Sequence, residues 1–428
     1  MNSKDIYVSL DIGTSNVKVI IGEMTGGNLN VIGIGKSTSK GIKKGSIVDI
    51  DETVRSIQKA VEQAERMVGL QIKSVIVGIT GNHIQLQSCH GIVAVSSENR
   101  EIGNEDIARV MDAAQVMPIP PEREIIDVIP HQFIVDGLEE INDPRGMVGV
   151  RLEMEGTIIT GSKTILHNLL RCVEKAGLEV ADICLQPLAL GSVALSKDEM
   201  NLGVTLIDIG GGSTNVAVFD QGTLMATFVL PIGGNHVTKD ISIGLRTPTE
   251  EAEEIKLKYG HAFIDTASPE ETFTASKIGS SSSQEYSQQD LAYIIEPRIA
   301  EIFELVRTEL KKMGFYEMPG GYVLTGGVTA MLGLLDLAQH ELDSNVRVAI
   351  PDYIGVREPQ YTTGIGLIQF AYHNVKVQGK EVAAAVANDN HQETPPKPRK
   401  KQKKESQQER ERAGMTKKVK DWFGLFFD

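Results

Sequence analysis

Two aspartates, each followed by a glycine-rich turn, carry the most specific chemistry in this chain. The first is Asp11-Ile-Gly13-Thr14-Ser15, with Lys18 just beyond it; the second is Asp208-Ile-Gly210-Gly211-Gly212-Ser213-Thr214. Glycine lets a backbone come close to a ligand, so the N–H groups and hydroxyls of such turns can face phosphate oxygens. An aspartate at a strand end suits a Mg²⁺ ion, held through water because Mg²⁺ keeps much of its hydration shell. Lys18 could reach a phosphate. A third turn, Gly326-Gly327-Val328, would let a flat base slide over bare backbone. Glu253 and Lys256 stand three apart on a helix, so they share a face and could clamp a ribose, or simply form a helix ion pair. A lone glycine turn is more often a plain loop, but three in this order point to a nucleotide. Neither aspartate turn has the P-loop pattern or the dinucleotide fingerprint.

These residues need strands that end at one place. The run Ile6 to Asp11, then Val17 to Gly22, then Leu29 to Gly35 reads as three strands, with Gly26-Gly27 at a hairpin tip. Apolar positions Val54, Ile57, Val61, Ala64 and Val68 mark a helix with Asp51 as its N-cap. The opening recurs 197 residues later: both copies run strand, Asp-Ile-Gly, small polar turn, Asn-Val, strand. One repetition at that distance signals two related halves rather than a solenoid. Between them, residues 81–161 read as a mostly strand-like inserted α/β subdomain. Residues 164–176 read as a helix and 183–195 as a strand running into another. In the second half, 249–259 and 291–313 are helical, 275–289 is a Ser- and Gln-rich loop, and 329–340 is a helix after the Gly-Gly turn.

The composition bounds the rest. The chain has 428 residues, 41% hydrophobic and 23% charged, enough for two to four domains with their own cores. Cys89, Cys172 and Cys184 lack Cys-x-x-Cys spacing, which argues against a zinc ribbon or disulfide scaffold and fits a reducing cytosol. The apolar run at the N-terminus is too short for a signal peptide, and no apolar stretch is long enough to span a bilayer. From His391 to Asp428 there are eleven Lys and Arg against six Asp and Glu, so this tail is +5 while the preceding residues carry −19 of the net −14. An acidic body is a poor nucleic-acid binder.

The tail therefore needs its own explanation. Residues 388–420 are rich in Lys, Glu, Gln and Pro and read as a disordered linker. The last residues then place Val419, Trp422, Phe423 and Phe426 on one helical face, widened by Leu425 and Phe427, with Lys417, Lys418 and Lys420 at its start. Twelve residues make a helix of about 18 Å, too short to cross a bilayer but suited to lying in its interface with lysines on anionic headgroups. Each large apolar side chain contributes roughly 1.5–3 kcal/mol at full burial, and each lysine about 1 kcal/mol. Partial exposure and immobilisation offset much of this, so one tail binds weakly and an array binds strongly.

The three turns in this order resemble the superfamily of actin, sugar kinases and heat-shock chaperone ATPases. Within it the chain resembles the FtsA family of bacterial cell-division proteins. Ile119-Pro-Pro-Glu-Arg-Glu-Ile-Ile-Asp-Val-Ile-Pro-His-Gln-Phe133 and Asp143-Pro-Arg-Gly-Met147 carry that likeness, both inside the insert. The resemblance implies an α/β, actin-like (ribonuclease H-like) duplicated two-domain fold with an FtsA-type inserted subdomain. It divides the chain into a first half (1–83 and 164–200, with a return helix at about 362–378), an insert for polymer contact (84–163), and a second-half core (201–231 and 320–361). The rest is an outer subdomain for the FtsZ contact (232–319), a linker (379–416) and a membrane-targeting helix (417–428). It also implies connecting segments at 186–195 and 363–370, and ATP with Mg²⁺ as ligands. The implied nucleotide set is the turn residues above with Gly233, Gly234, Asn235, Glu253 and Lys256, and Asp11 and Asp208 serve the metal. Gln186 falls where actins place a water-orienting glutamine. Pro187 follows it, and Gly211 stands where actin has a second acidic residue, so slow or conditional turnover is expected. The implied partners are FtsZ, through its C-terminal tail peptide, further copies of the chain in filaments, an anionic membrane surface and other division proteins. The implied location is the cytoplasmic face of the membrane at the septum. A pilus-type scaffold and a small-molecule kinase share this fold and remain the alternatives.

Overall fold

The computed structural model describes residues 6–43, 45–279 and 283–377. The expected linker and tail helix, Lys417 to Phe427 included, lie outside the described residues.

The first half opens with an antiparallel meander, β1 (Ile6–Ile12), β2 (Asn16–Thr25) and β3 (Asn28–Thr38). Gly26 and Gly27 turn β2 into β3 at φ of 59° and 88°, the left-handed pair that a two-residue hairpin requires. A short hairpin, β4 (Ile42–Lys43) and β5 (Ser46–Ile47), leads to α1 (Ile50–Val68). The N-cap of α1 is Asp49, not Asp51: its extended backbone lets the carboxylate accept the Glu52 N–H at 2.9 Å. Asp51 sits in the first turn, where its charge favours the helix dipole. The apolar stripe of α1 lies on bare strand backbone, since a Cβ at Gly35 would stand 1.8 Å from the Ala60 carbonyl. β6 (Ser74–Ile79) then pairs parallel with β1.

The insert follows as β7 (Gln85–Ala94), α2 (Asn104–Ala114), β8 (Arg123–Val135), β9 (Leu138–Ile141) and β10 (Arg151–Ser162). Its antiparallel sheet has the order β7-β10-β8-β9. α2 buries Ile107, Val110 and Met111 in a core with Phe133, Leu152 and Met154. These positions have helical spacing, but strands on either side hide them in a stretch that reads as mostly strand.

The chain returns through α3 (Lys163–Lys175) to β11 (Glu179–Leu185), parallel to β6, and then α4 (Gln186–Ala194). Here the sequence reading of 183–195 holds to Leu185 and fails beyond it. α4 is a helix that starts with Pro187 in its first turn, and apolar residues surround its axis because it is buried on most sides. A helix apolar all round has no period to read.

After α5 (Lys197–Leu202), the second half repeats the first: β12 (Val204–Ile209), β13 (Thr214–Asp220) and β14 (Thr223–Leu230) form a meander. Its outer part is α6 (Gly234–Leu245), α7 (Thr249–Tyr259), β15 (Thr272–Ser276), β16 (Ser283–Ser287) and α8 (Gln288–Lys312). β15 and β16 pair as a hairpin where a loop was expected; their polar residues face outward while Phe273 and Ala275 point to the core. β17 (Tyr322–Thr325), α9 (Leu334–Leu342) and β18 (Val346–Val348) complete it, and α10 (Thr362–Val377) returns to pack on the first sheet and α4. α9 starts later than the expected residue 329, because Gly327–Ala330 first makes a single 3-10 turn.

The two large sheets share one topology, β3-β2-β1-β6-β11 and β14-β13-β12-β17-β18. The helices that follow their last strands, α4 and α10, meet so closely that a Cβ at Gly366 would stand 2.1 Å from the Ala189 carbonyl. No helix among the described residues is long and apolar enough to cross a membrane.

Candidate functional site

The repeat is clearest in hydrogen bonds. Gly13 N–H bonds to the Asn16 carbonyl at 3.1 Å, and Gly210 N–H bonds to the Ser213 carbonyl at 2.9 Å, closing two turns of equal length. Asp11 pairs across the ladder with Lys18, and Asp208 with Asn215. The shared Asn-Val strings are therefore not equivalent positions. Matching them requires two extra residues in the second turn, and the backbone has none; Asn16 corresponds to Ser213, and Lys18 to Asn215.

Both turns open on one cleft of about 210 Å³. Asp11, 6% exposed, forms an ion pair with the Lys18 ammonium at 2.7 Å, and its other oxygen accepts from the Gln186 amide at 3.3 Å. Burial works against the charge on Lys18, but the Asp11 and Asp208 carboxylates outweigh it and raise its pKa. Asp208 accepts from the Asn215 amide at 3.0 Å. Burial, reinforced by the Asp11 charge, holds the Asp208 carboxyl above its ordinary range despite Asn215 and Lys18.

The glycines let the three turns lie against one another. A Cβ at Gly211 would meet Ser15 Oγ at 1.9 Å, and one at Gly212 would meet Thr14 Cγ2 at 2.4 Å. Gly326, at φ 94°, passes so close that a Cβ would stand 2.3 Å from Asp208 Oδ1. The turns also hold each other: Ser15 Oγ donates to Asn235 Oδ1 at 3.1 Å, while Gly234 and Asn235 N–H groups bond the Gly210 and Gly211 carbonyls.

The remaining candidates gather beside this cleft. Lys256 is buried, and its ammonium donates to Glu253 (2.6 Å), Thr238 Oγ1 (2.8 Å) and the Gly234 carbonyl (3.2 Å). All three of its donors are thus engaged, and Glu253 is the more exposed partner. A Cβ at Gly234 would touch Val328, so Gly233, Gly234, Glu253, Lys256 and Val328 form one neighbourhood. Neither Glu253 nor Lys256 lines the cleft itself.

Motif reading missed Thr80, Asn215 and Thr363, which also line the cleft. Asn215 could have been found by aligning strand register instead of identical letters. Thr80 carries no signal, since it ends a strand without a motif.

The family model "Cell division protein FtsA" matches residues 205–366, and "SHS2 domain inserted in FTSA" matches 81–160. The chain is 62% identical over 393 residues to the protein named "Cell division protein FtsA" of Bacillus subtilis (strain 168), covering 92% of this chain and 89% of that one. Among solved structures, the PilM-PilN type IV pilus biogenesis complex aligns with a TM-score of 0.57 at 17% identity, over 86% of this chain and 98% of that one. MreB5 of Spiroplasma citri bound to ADP aligns with a TM-score of 0.54 at 14% identity, over 88% and 99%. These two structural likenesses establish the actin-like fold.

Proposed function

This chain belongs to the FtsA family of cell-division proteins, and from that premise we propose that it binds ATP with Mg²⁺ between its two halves. It then polymerises and tethers FtsZ filaments to the cytoplasmic face of the membrane at the septum. The observation that carries the nucleotide reading is the pair of equal turns, each preceded by an aspartate, that meet across one cleft.

The residues fit the ligands. Gly211, Gly212 and Gly326 leave backbone bare where a Cβ would collide, so N–H groups can approach phosphate oxygens. Thr14, Ser15 and Ser213 line the cleft and can supply further donors, and Lys18 adds a buried cation; the Gly13 and Gly210 N–H groups close their own turns, and Thr214 is buried behind them with its hydroxyl on the Ile232 carbonyl. Among the described residues no group of three or more His, Cys, Asp or Glu could hold a metal alone. Asp11 and Asp208 therefore suit Mg²⁺, which binds through one or two carboxylates with phosphate and water oxygens. When bound, the ion would neutralise phosphate charge. Gln186 is held by Asp11 and can position a water, but among the described residues no histidine or further carboxylate lines the cleft to take its proton. This supports firm binding with slow or conditional turnover.

In this reading the insert makes the polymer contact, the outer subdomain (232–319) receives the C-terminal peptide of FtsZ, and the terminal helix anchors the assembly beside other division proteins. Nucleic acid has no role. The likeness to the pilus complex is one of fold and does not favour a pilus role.

The test is co-sedimentation with vesicles containing anionic lipid, with and without ATP and FtsZ. The full chain should sediment, more with ATP, and should bring FtsZ with it. A chain lacking residues 417–428 should stay in solution while still binding ATP; its retention on vesicles would remove the anchor, and absence of nucleotide binding in both chains would remove the cleft reading.

A further inference from the structure

The segment Thr80 to His83 leaves β6 at the cleft and enters the insert, and it touches three parts of the molecule within four residues. Thr80 lines the cleft and donates its hydroxyl to Asn215 Oδ1 at 3.4 Å. Asn215 in turn holds Asp208. Asn82 then meets β14, the edge strand of the second sheet. Its amide donates to the Val229 carbonyl at 2.8 Å, and its own oxygen accepts the Val229 N–H at 2.6 Å. A side-chain amide in this position replaces one residue of a missing neighbour strand, satisfying both ladder groups that an edge leaves open. Asn215 and Val229 are cross-strand partners. Thr80 and Asn82 thus grip one rung of the second sheet, whose inner end positions Asp208.

The next residue ties this grip to the insert. The Arg123 guanidinium donates to the His83 carbonyl at 2.8 Å and to the Thr160 carbonyl at 2.9 Å, joining β8, β10 and the segment. Gly81 permits the tight approach: it sits at φ 143°, and a Cβ there would stand 2.6 Å from the His83 ring. His83 leaves its Nε2 buried without a protein partner, a cost that argues the segment is fixed by something other than its own packing.

We infer that Asn82 is a positioning residue that couples the state of the nucleotide cleft to the inserted sheet. The inference rests on the ATP-binding reading above. Any shift of the Asp208 rung when the cleft fills moves Val229, and the two-point grip of Asn82 passes that displacement through His83 and Arg123 to β8 and β10. Cutting the grip leaves the cleft its own ligands and deprives the insert of the signal.

Hydrogen exchange followed by mass spectrometry on the full chain, with and without ATP and Mg²⁺, distinguishes the outcomes. In the unaltered protein ATP should slow exchange in both aspartate turns and, by about fivefold, in β8 and β10. Asn82→Ala should keep the slowing at the turns and lose it in the insert. Asn82→Asp, which can accept from Val229 N–H but cannot donate to its carbonyl, should fall between, and it serves if the alanine variant melts early. An insert response of full size in both variants overturns the coupling, as does an unaltered protein whose turns respond while the insert does not. Turns that never respond overturn the ATP reading instead.

Discussion

Asp208 keeps its charge in the cleft against burial. Its carboxyl is held by one amide, lies against bare backbone at Gly326, and is disfavoured as an anion by burial. A cation bound there would remove that penalty. Asp208→Ala is expected to weaken ATP binding in Mg²⁺ by about tenfold or more, near 1.4 kcal/mol, and to change binding in EDTA little. Calorimetric titration under both conditions checks it; equal affinities for variant and parent in Mg²⁺ would mean the metal sits elsewhere. The aspartates, their glycine turns and Lys18 were legible in the sequence because each depends on local chain chemistry. Asn215 and Thr80 were not, because their importance comes from a ladder rung and a strand end that only pairing creates. The Lys256 cluster was half legible: its spacing was read, but its burial with three acceptors was not.

At the scale of elements, α5 and β18 are joined by a clamp. Arg347 donates to Glu199 and to the Ala194 carbonyl at the end of α4. Arg347, opposed by burial and helped by Ser196, lowers the Glu199 pKa from 4.5 to about 2. A depressed carboxyl contributes stability that is present above its unfolded pKa and disappears as pH falls through its folded one. Glu199→Gln should therefore cost about 2 kcal/mol at pH 7, and that deficit should close between roughly pH 4.5 and pH 2. Urea melts across that range measure it, and a deficit independent of pH would show that charge is not what holds the clamp. Element boundaries were legible where one face is wet. α1 and α8 showed their period and α7 its run of charge, whereas α4, buried between sheet and helix, did not. The hairpin of β15 and β16 was hidden by its Ser and Gln content, since its outward face is solvated and only Phe273, Ala275 and Tyr286 pack on the core.

The whole molecule couples an acidic body to a basic end-piece. If that end-piece anchors the protein, binding to vesicles should rise with anionic lipid content and fall with salt, because headgroup attraction is screened within about 10 Å at 0.1 M. Trp422→Glu should abolish sedimentation nearly as fully as deletion, since a charge on the buried face opposes insertion. Sedimentation equal to that of the parent would place the anchoring face elsewhere. The duplicated architecture was legible from one repeated string, yet its alignment was wrong by two residues in the second turn. The repeated string shows that two copies exist; only hydrogen-bond register shows which atom answers which.

That register has one more implication. Two matching jaws could accept an elongated guest in either direction. Here the matching sites differ in charge on the rung that carries each aspartate: one jaw presents an ammonium at Lys18, and the other a neutral amide at Asn215. If the cleft takes the nucleotide proposed above, its most negative end would be drawn to one side only, and the ligand would lie in one direction.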